Sequence, residues 1–202
     1  MKLYYAPGTC ALASHIALEE SGQPFTIDKL NVPTKTTASG EDFMQINPKG
    51  YVPVVKLDDG NILTEGAVIL QYIADQNPSS NLAPAQGTMA RYRLQEWLNF
   101  IGSEVHKTYS PMFNKAVSED YKIVARNLLA KRLSYVEAQL ASKSYLMGDT
   151  FTIADAYLFT VLRWSERVSF DLNPFPNIQG YLARIAARPS VQAAMKAEGL
   201  IP

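Results

Sequence analysis

Lys2-Leu3-Tyr4-Tyr5-Ala6-Pro7-Gly8-Thr9-Cys10, continued by Ala11-Leu12-Ala13-Ser14-His15-Ile16-Ala17-Leu18-Glu19-Glu20, runs a short apolar strand directly into a helix. Pro7 and Gly8 mark the turn, and after Thr9 the apolar residues recur at helical spacing. Cys10 is the only cysteine in the chain and falls in the first turn of that helix. A thiol there faces backbone N–H groups that lack helical partners and the positive end of the helix dipole, and both favour the thiolate. Position alone leaves two readings open, a functional thiol or a small buried hydrophobe. A lone cysteine has no internal disulfide partner, so any covalent partner comes from outside the chain.

Working outward, residues 26–30 read as a second strand and residues 40–46 as a short helix after an irregular, polar run at 33–39. Residues 52–57 and 62–63 form a hairpin pattern around Asp58-Asp59-Gly60-Asn61. A helix over 65–75 ends before Pro78. The order β-α-β-α-β-β-α predicts a mixed sheet of four strands with helices packed on it. Asn77-Pro78-Ser79-Ser80-Asn81-Leu82-Ala83-Pro84 reads as a linker, and everything beyond it is helical. Leu94, Trp97, Leu98, Ile101 and Val105 share one helical face, and a second long helix covers 119–142. Thr152-Ile153-Ala154-Asp155 has the spacing of a capping box, with Asp at the position usually held by Glu or Gln. The segment from there to Trp164 is apolar almost all round, which predicts a central buried helix. Residues 177–187 and 190–198 complete the helices. The expected organisation is a mixed α/β domain over 1–78, a linker over 79–86 and an all-helical domain over 87–202.

Composition excludes several classes. A 47% hydrophobic and 19% charged chain of 202 residues is globular, without a long disordered stretch. Its 19 Lys+Arg balance 19 Asp+Glu, and no basic stripe is visible, which argues against nucleic acid as a partner. The most apolar run, 156–162, is far too short to span a bilayer. No secretory signal opens the chain, and a single unpaired cysteine suits a reducing compartment, so a cytoplasmic location is expected. No residue pattern calls for a metal.

Four motifs, in order along the chain, carry a family resemblance: Cys10 at the strand-to-helix turn, Tyr51-Val52-Pro53-Val54, Leu63-Thr64-Glu65-Gly66, and Phe151-Thr152-Ile153-Ala154-Asp155-Ala156. With the mixed N-terminal unit and helical remainder, they make the chain resemble the glutathione S-transferase family. Cys10 together with Glu96-Trp97-Leu98-Asn99 and Glu104-Val105-His106-Lys107 resembles the bacterial beta class. The resemblance implies a thioredoxin-like N-terminal domain, glutathione as substrate with no metal, a small apolar electrophile as second substrate, and a homodimer.

It also implies roles residue by residue. Val52, placed by a cis bond to Pro53, offers its backbone N–H and C=O to the cysteinyl part of glutathione; on the residues alone, Pro53 equally starts an edge strand. Glu65 receives the γ-glutamyl ammonium and the Gly66 N–H its carboxylate, at the start of a helix. A carboxylate there also stabilises its own helix. Many relatives carry serine where this chain has Gly66. Lys35 approaches the glycyl carboxylate, or is a solvated loop lysine. Asn99, Ser103, His106 and Lys107 are spaced along one polar helical face, and the resemblance turns that face toward Cys10. His106 then accepts a proton or, when charged, stabilises the thiolate. Glu104 reaches the glutathione site of the partner subunit.

Tyr5, Thr9 and Ser14 are rivals for stabilising a thiolate, and His15 reads as structural. Thr152 and Asp155 are structural, as a helix cap contributing on the order of 1 kcal/mol. Tyr109, Met112, Phe113 and Trp164 are expected near the second substrate, with Trp164 read as core. Cys10 and His106 are the expected catalytic residues. The competing reading is a non-catalytic binding or regulatory module on the same fold.

Overall fold

Leu3, Tyr4 and Tyr5 are buried because their strand, β1 (Lys2–Tyr5), is the middle strand of a five-stranded sheet ordered β3-β2-β1-β4-β5. The computed structural model describes every residue from Met1 to Pro202. The chain divides into one unit of Met1–Ala83 with Ala187–Pro202, and a second of Pro84–Ala186.

The first unit continues with α1 (Ala11–Ser21), β2 (Thr26–Asn31), β3 (Thr36–Thr37), α2 (Phe43–Ile46), β4 (Val54–Lys56), β5 (Ile62–Thr64) and α3 (Gly66–Gln76). β2 lies parallel to β1, with Leu3 opposite Ile27. A parallel pair needs a crossover, and α1 supplies it. β4 returns antiparallel to β1, with Leu3 opposite Val55, and β5 closes the hairpin with Leu63 opposite Val55. The turn at Asp58–Asn61 works as its sequence demands, because Gly60 adopts φ +86°. Leu12, Ile16 and Ile69 are fully buried, and each such side chain contributes about 2 kcal/mol.

Two expectations change here. The sheet has five strands rather than four, because Thr36 and Thr37 pair with Asn31 and Leu30. A two-residue polar strand following Pro33 carries no periodicity for a sequence reading to detect. Residues 187–202 were expected in the helical domain, yet they belong to the first unit. Arg188 and Ser190 bind the Glu20 carboxylate of α1, and Glu198 binds Gly8 and His15.

The second unit holds α4 (Met89–Phe100), a π-helical turn (Ile101–His106), α5 (Lys107–Phe113), α6 (Glu119–Leu140), α7 (Ile153–Leu162), α8 (Trp164–Arg167) and α9 (Pro176–Ala186). Every residue of α7 is buried. Its first turn is organised by Asp155, whose carboxylate accepts from the Thr152 N–H at 2.8 Å, the Thr152 hydroxyl at 2.9 Å, the Leu146 N–H at 2.8 Å and the Tyr181 hydroxyl at 3.0 Å. Four donors satisfy the charge, but complete burial still pushes the Asp155 carboxyl up to about 6. The chain's last helix, α10 (Pro189–Ala197), returns to the first unit. No helix is long and apolar enough to cross a membrane.

Candidate active site

Three consecutive residues, Gly50, Tyr51 and Val52, form the hub of the site. The Cys10 thiol donates to the Val52 carbonyl at 3.4 Å. The Lys35 ammonium donates to the Gly50 carbonyl at 2.7 Å. The Tyr51 hydroxyl donates to Glu65 Oε1 at 2.8 Å. Cys10, Lys35, Val52 and Glu65, far apart in sequence, thus converge on one short segment. The Val52–Pro53 peptide bond is cis. The β4 ladder begins only at Val54, so sheet pairing leaves the Val52 N–H uncommitted.

The thiol is oriented differently from the sequence reading. Cys10 precedes α1 with helical dihedrals and makes no side-chain capping bond, because its sulfur turns to the Val52 carbonyl instead. The Ala11 N–H is taken by the Thr9 hydroxyl at 3.4 Å. That hydroxyl itself donates to the Ala6 carbonyl at 2.7 Å, so Thr9 holds the turn. Tyr5 is buried against the His15 ring, and burial raises its phenol above the ordinary value. Ser14 is fully buried with no hydrogen-bond partner for its hydroxyl.

Glu65 immediately precedes α3 with φ +70°, and Lys35 has φ +57°. These are two of the four non-glycine residues at positive φ. Such backbone costs about 1–3 kcal/mol each and persists where surrounding contacts enforce it, commonly at ligand sites. Lys49 orients the Glu65 carboxylate: its ammonium lies 2.6 Å from Oε1 and 3.0 Å from the Thr64 hydroxyl. The hydrogen bond to Glu65 also raises the Lys49 ammonium and the Tyr51 phenol above their ordinary values, so both remain donors. Lys49 and Tyr51 escaped the sequence reading, although Tyr51 stands inside a quoted motif. Gly66 opens α3, where an added Cβ would meet only Pro53 Cγ at 3.7 Å, an ordinary contact. Gly50 is less replaceable: it has φ +72°, and a Cβ there would press on Met44 Sδ at 3.3 Å.

Behind the thiol's loop, the buried Glu198 carboxylate accepts the Gly8 N–H at 3.0 Å and meets His15 Nδ1 at 3.1 Å. His15 is therefore a structural anchor of α1. Glu198 lies 190 residues from Gly8 in the chain, and nothing local in the sequence points to it.

In the helical unit, the single polar face expected for Asn99, Ser103, His106 and Lys107 does not survive. The π-helical turn at Ile101–His106 breaks the α-helical spacing between α4 and α5. Asn99, Ser103 and Lys107 are exposed, whereas His106 packs among aromatic rings. Its Nδ1 meets the Tyr157 hydroxyl at 2.7 Å, and its ring lies 4.8 Å from that of Trp164. Burial, with Lys107 adding repulsion, pushes the imidazolium down to about 4. His106 is neutral at pH 7 and offers no positive charge to a thiolate, which corrects that part of its expected role. Ser103 donates to the Asn99 carbonyl at 2.9 Å. Glu104 pairs with Arg132 of its own chain at 2.6 Å. Tyr109 is fully buried with its hydroxyl on Ser165 at 2.6 Å, so it is core. Phe113 is 44% exposed.

Residues 8–76 match the glutathione S-transferase N-terminal domain family, and residues 100–189 match the C-terminal domain family. Glutathione S-transferase GstA of Escherichia coli O157:H7 is 46% identical over 200 residues, covering 99% of this chain and 100% of the relative. Two solved structures each share 45% identity, a TM-score of 0.96 and full coverage of both chains: a sphingomonad glutathione S-transferase complexed with glutathione, and a bacterial beta class enzyme from Sphingomonas chungbukensis. With both family models matched along the chain and relatives 45–46% identical over its full length, the chain belongs to the glutathione S-transferase family.

Proposed function

We propose that the protein conjugates reduced glutathione to small apolar electrophiles. The observation carrying this reading is the convergence of Cys10, Lys35 and Glu65 on Gly50-Tyr51-Val52. A tripeptide with a carboxylate at one end and an amino-acid zwitterion at the other matches that spread of groups. The cysteinyl backbone pairs with the Val52 N–H and C=O. Glu65 takes the ammonium of the γ-glutamyl end, and the N–H groups opening α3 at Gly66 take its carboxylate. Lys35 takes the glycyl carboxylate.

Pairing at Val52 has a chemical consequence. The ligand's N–H claims the carbonyl that Cys10 holds in the free protein, releasing the Cys10 thiol beside the incoming sulfur. In conjugation, the glutathione thiol loses its proton, the thiolate forms a carbon–sulfur bond, and the leaving group departs with its electron pair. From the helical unit, the resemblance assigns Asn99, Ser103, His106 and Lys107 to the same ligand, with neutral His106 acting as proton acceptor or donor. It assigns Glu104 to the glutathione site of the partner subunit in a homodimer. Residues 1–78 form the glutathione-binding part, completed by residues 187–202, 79–86 form the linker, and the helices of the second unit receive the electrophile. A cytoplasmic location agrees with the unpaired Cys10.

The Cys10–Val52 contact also favours a second reading. Two sulfurs brought together allow Cys10 thiolate to attack oxidised glutathione, forming a Cys10–glutathione disulfide and expelling one glutathione thiolate. A further glutathione resolves the adduct, since the chain has no second cysteine.

Intact mass measurement with and without reductant, beside a conjugation assay with 1-chloro-2,4-dinitrobenzene, tests both. Turnover by the native protein supports conjugation. A reductant-sensitive gain of one glutathione mass, absent in Cys10→Ala, supports the disulfide. Glutathione binding without either chemistry returns the protein to a binding module.

A further inference from the structure

Tyr157 stands one residue beyond the Phe151–Ala156 motif, on α7, and is 6% exposed. Its hydroxyl lies 2.7 Å from His106 Nδ1. The π-helical turn brings the two elements this close: a Cβ on Gly102, inside that turn, would meet the Tyr157 hydroxyl at 3.6 Å. Turns of this kind are frequent at functional sites. Rings pack the imidazole edge-on, Tyr157 at 5.8 Å and Trp164 at 4.8 Å, and Trp164 is itself packed by Tyr109 and Phe113 at 5.8 and 5.7 Å. Packing of that density resists a ring flip that would exchange the two nitrogens. Nε2, the other nitrogen, has no partner in the protein and is not enclosed.

A neutral imidazole has one N–H and one acceptor nitrogen, and the partner of one nitrogen decides the state of the other. Burial keeps His106 neutral at pH 7. Two pairings with Tyr157 are open to it, and acid–base strength decides between them. A phenol, with an ordinary pKa of about 10, is a far better donor than a neutral imidazole. An imidazole nitrogen, with an ordinary pKa of about 6.5, is a far better acceptor than a phenol oxygen. Tyr157 therefore donates, Nδ1 accepts, and the proton of the neutral ring sits on Nε2.

We propose that Tyr157 is a positioning residue for the glutathione reaction, locking His106 as the tautomer that presents an Nε2–H donor. This role, which rests on the reading that His106 serves glutathione, is narrower than general proton exchange. With Nε2 already protonated, the ring donates a hydrogen bond to the glutathione thiolate. It does not take the proton of the thiol, which passes to water.

The test is long-range 1H–15N NMR of the full-length protein carrying 15N-labelled histidine, beside steady-state kinetics with 1-chloro-2,4-dinitrobenzene. The chain has two histidines, so His106→Gln assigns the spectrum. The expected His106 is neutral, protonated at Nε2 and bare at Nδ1, and saturating glutathione shifts its Nε2 signal. Tyr157→Phe removes only the oxygen. In that variant the Nδ1 signal moves to that of an unbonded nitrogen. Its kcat falls about fivefold with KM for glutathione within about twofold, since the donor is misaligned rather than removed. A proton on Nδ1 in wild type overturns the proposal, and this spectrum decides even where Tyr157→Phe does not fold. An unmoved Nδ1 signal or an unchanged kcat in a folded Tyr157→Phe overturns it too. If glutathione shifts the Nε2 signal but nothing is conjugated, the conjugation reading fails and the positioning of His106 stands. If glutathione leaves that signal unmoved while conjugation proceeds, the positioning role fails and the conjugation reading stands.

Discussion

His15 and Glu198 meet at 3.1 Å inside the first unit although 183 residues separate them along the chain. The other oxygen of the same carboxylate takes the N–H of Gly8, two residues before the thiol. One buried acid therefore fixes both the helix behind Cys10 and the loop in front of it.

Glu198→Ala should destabilise the protein by about 2 kcal/mol, because it removes the carboxylate that meets the buried His15 and accepts from the part-buried Gly8 N–H. It should also raise the KM for glutathione several-fold by loosening the Gly8 loop. Glu198→Gln, which keeps an acceptor for Gly8, should recover part of both. Chemical denaturation and initial-rate kinetics measure these effects. An alanine variant as stable as wild type would remove Glu198 from this role.

Glu65 offers a contrasting case, since it is half exposed and its ion pair with Lys49 contributes little to folding. Glu65→Ala should raise the KM for glutathione at least tenfold while stability shifts by no more than about 0.5 kcal/mol. Lys49→Met should have a smaller effect in the same direction, because Tyr51 still holds the carboxylate. Unchanged glutathione affinity in Glu65→Ala would take the residue out of the site.

Gly66→Ser should be accommodated without cost to the fold, given the 3.7 Å clearance to Pro53. The added hydroxyl should lower the KM for glutathione a few-fold by reaching the γ-glutamyl carboxylate. Weaker binding by the serine variant would show that a hydroxyl does not fit there.

The pH dependence of stability should carry two opposing slopes from the helical unit. His106 takes a proton near 4 when folded but near 6.5 when unfolded, so acidification across that range favours unfolding. Asp155 takes a proton near 6 when folded but near 3.8 when unfolded, so acidification there favours folding. Each is worth about 3 kcal/mol, and between pH 6 and 4 they cancel. His106→Phe removes one slope, so relative to wild type it should gain stability as pH falls from 6 to 4. Melting-temperature curves that stay parallel across this window would contradict the assignment.

What was legible in the sequence is what short-range chemistry decides. Gly60 announces its hairpin, Thr152 and Asp155 announce the start of α7, and Pro7-Gly8 announces the turn that delivers Cys10. What escaped depends on tertiary partners. Thr36 and Thr37 become a strand only because Leu30 and Asn31 lie beside them. The π-helical turn that sends His106 into the aromatic core follows no local signal, so an α-helical wheel misplaces that ring. Lys49 reads as a loop lysine until Glu65 is folded against it. Glu198 reads as the last turn of an ordinary surface helix.

The placement of residues 187–202 bears on how the molecule is assembled in time. A ribosome makes the strand, turn and helix around Cys10 first, but the acid that secures that turn is made after the entire helical unit. The unit that carries Cys10 is thus topologically interrupted, completed only by residues made after α9. Until Glu198 is made, a nascent chain lacks the carboxylate that holds the Gly8 N–H and His15 around Cys10 in the folded protein.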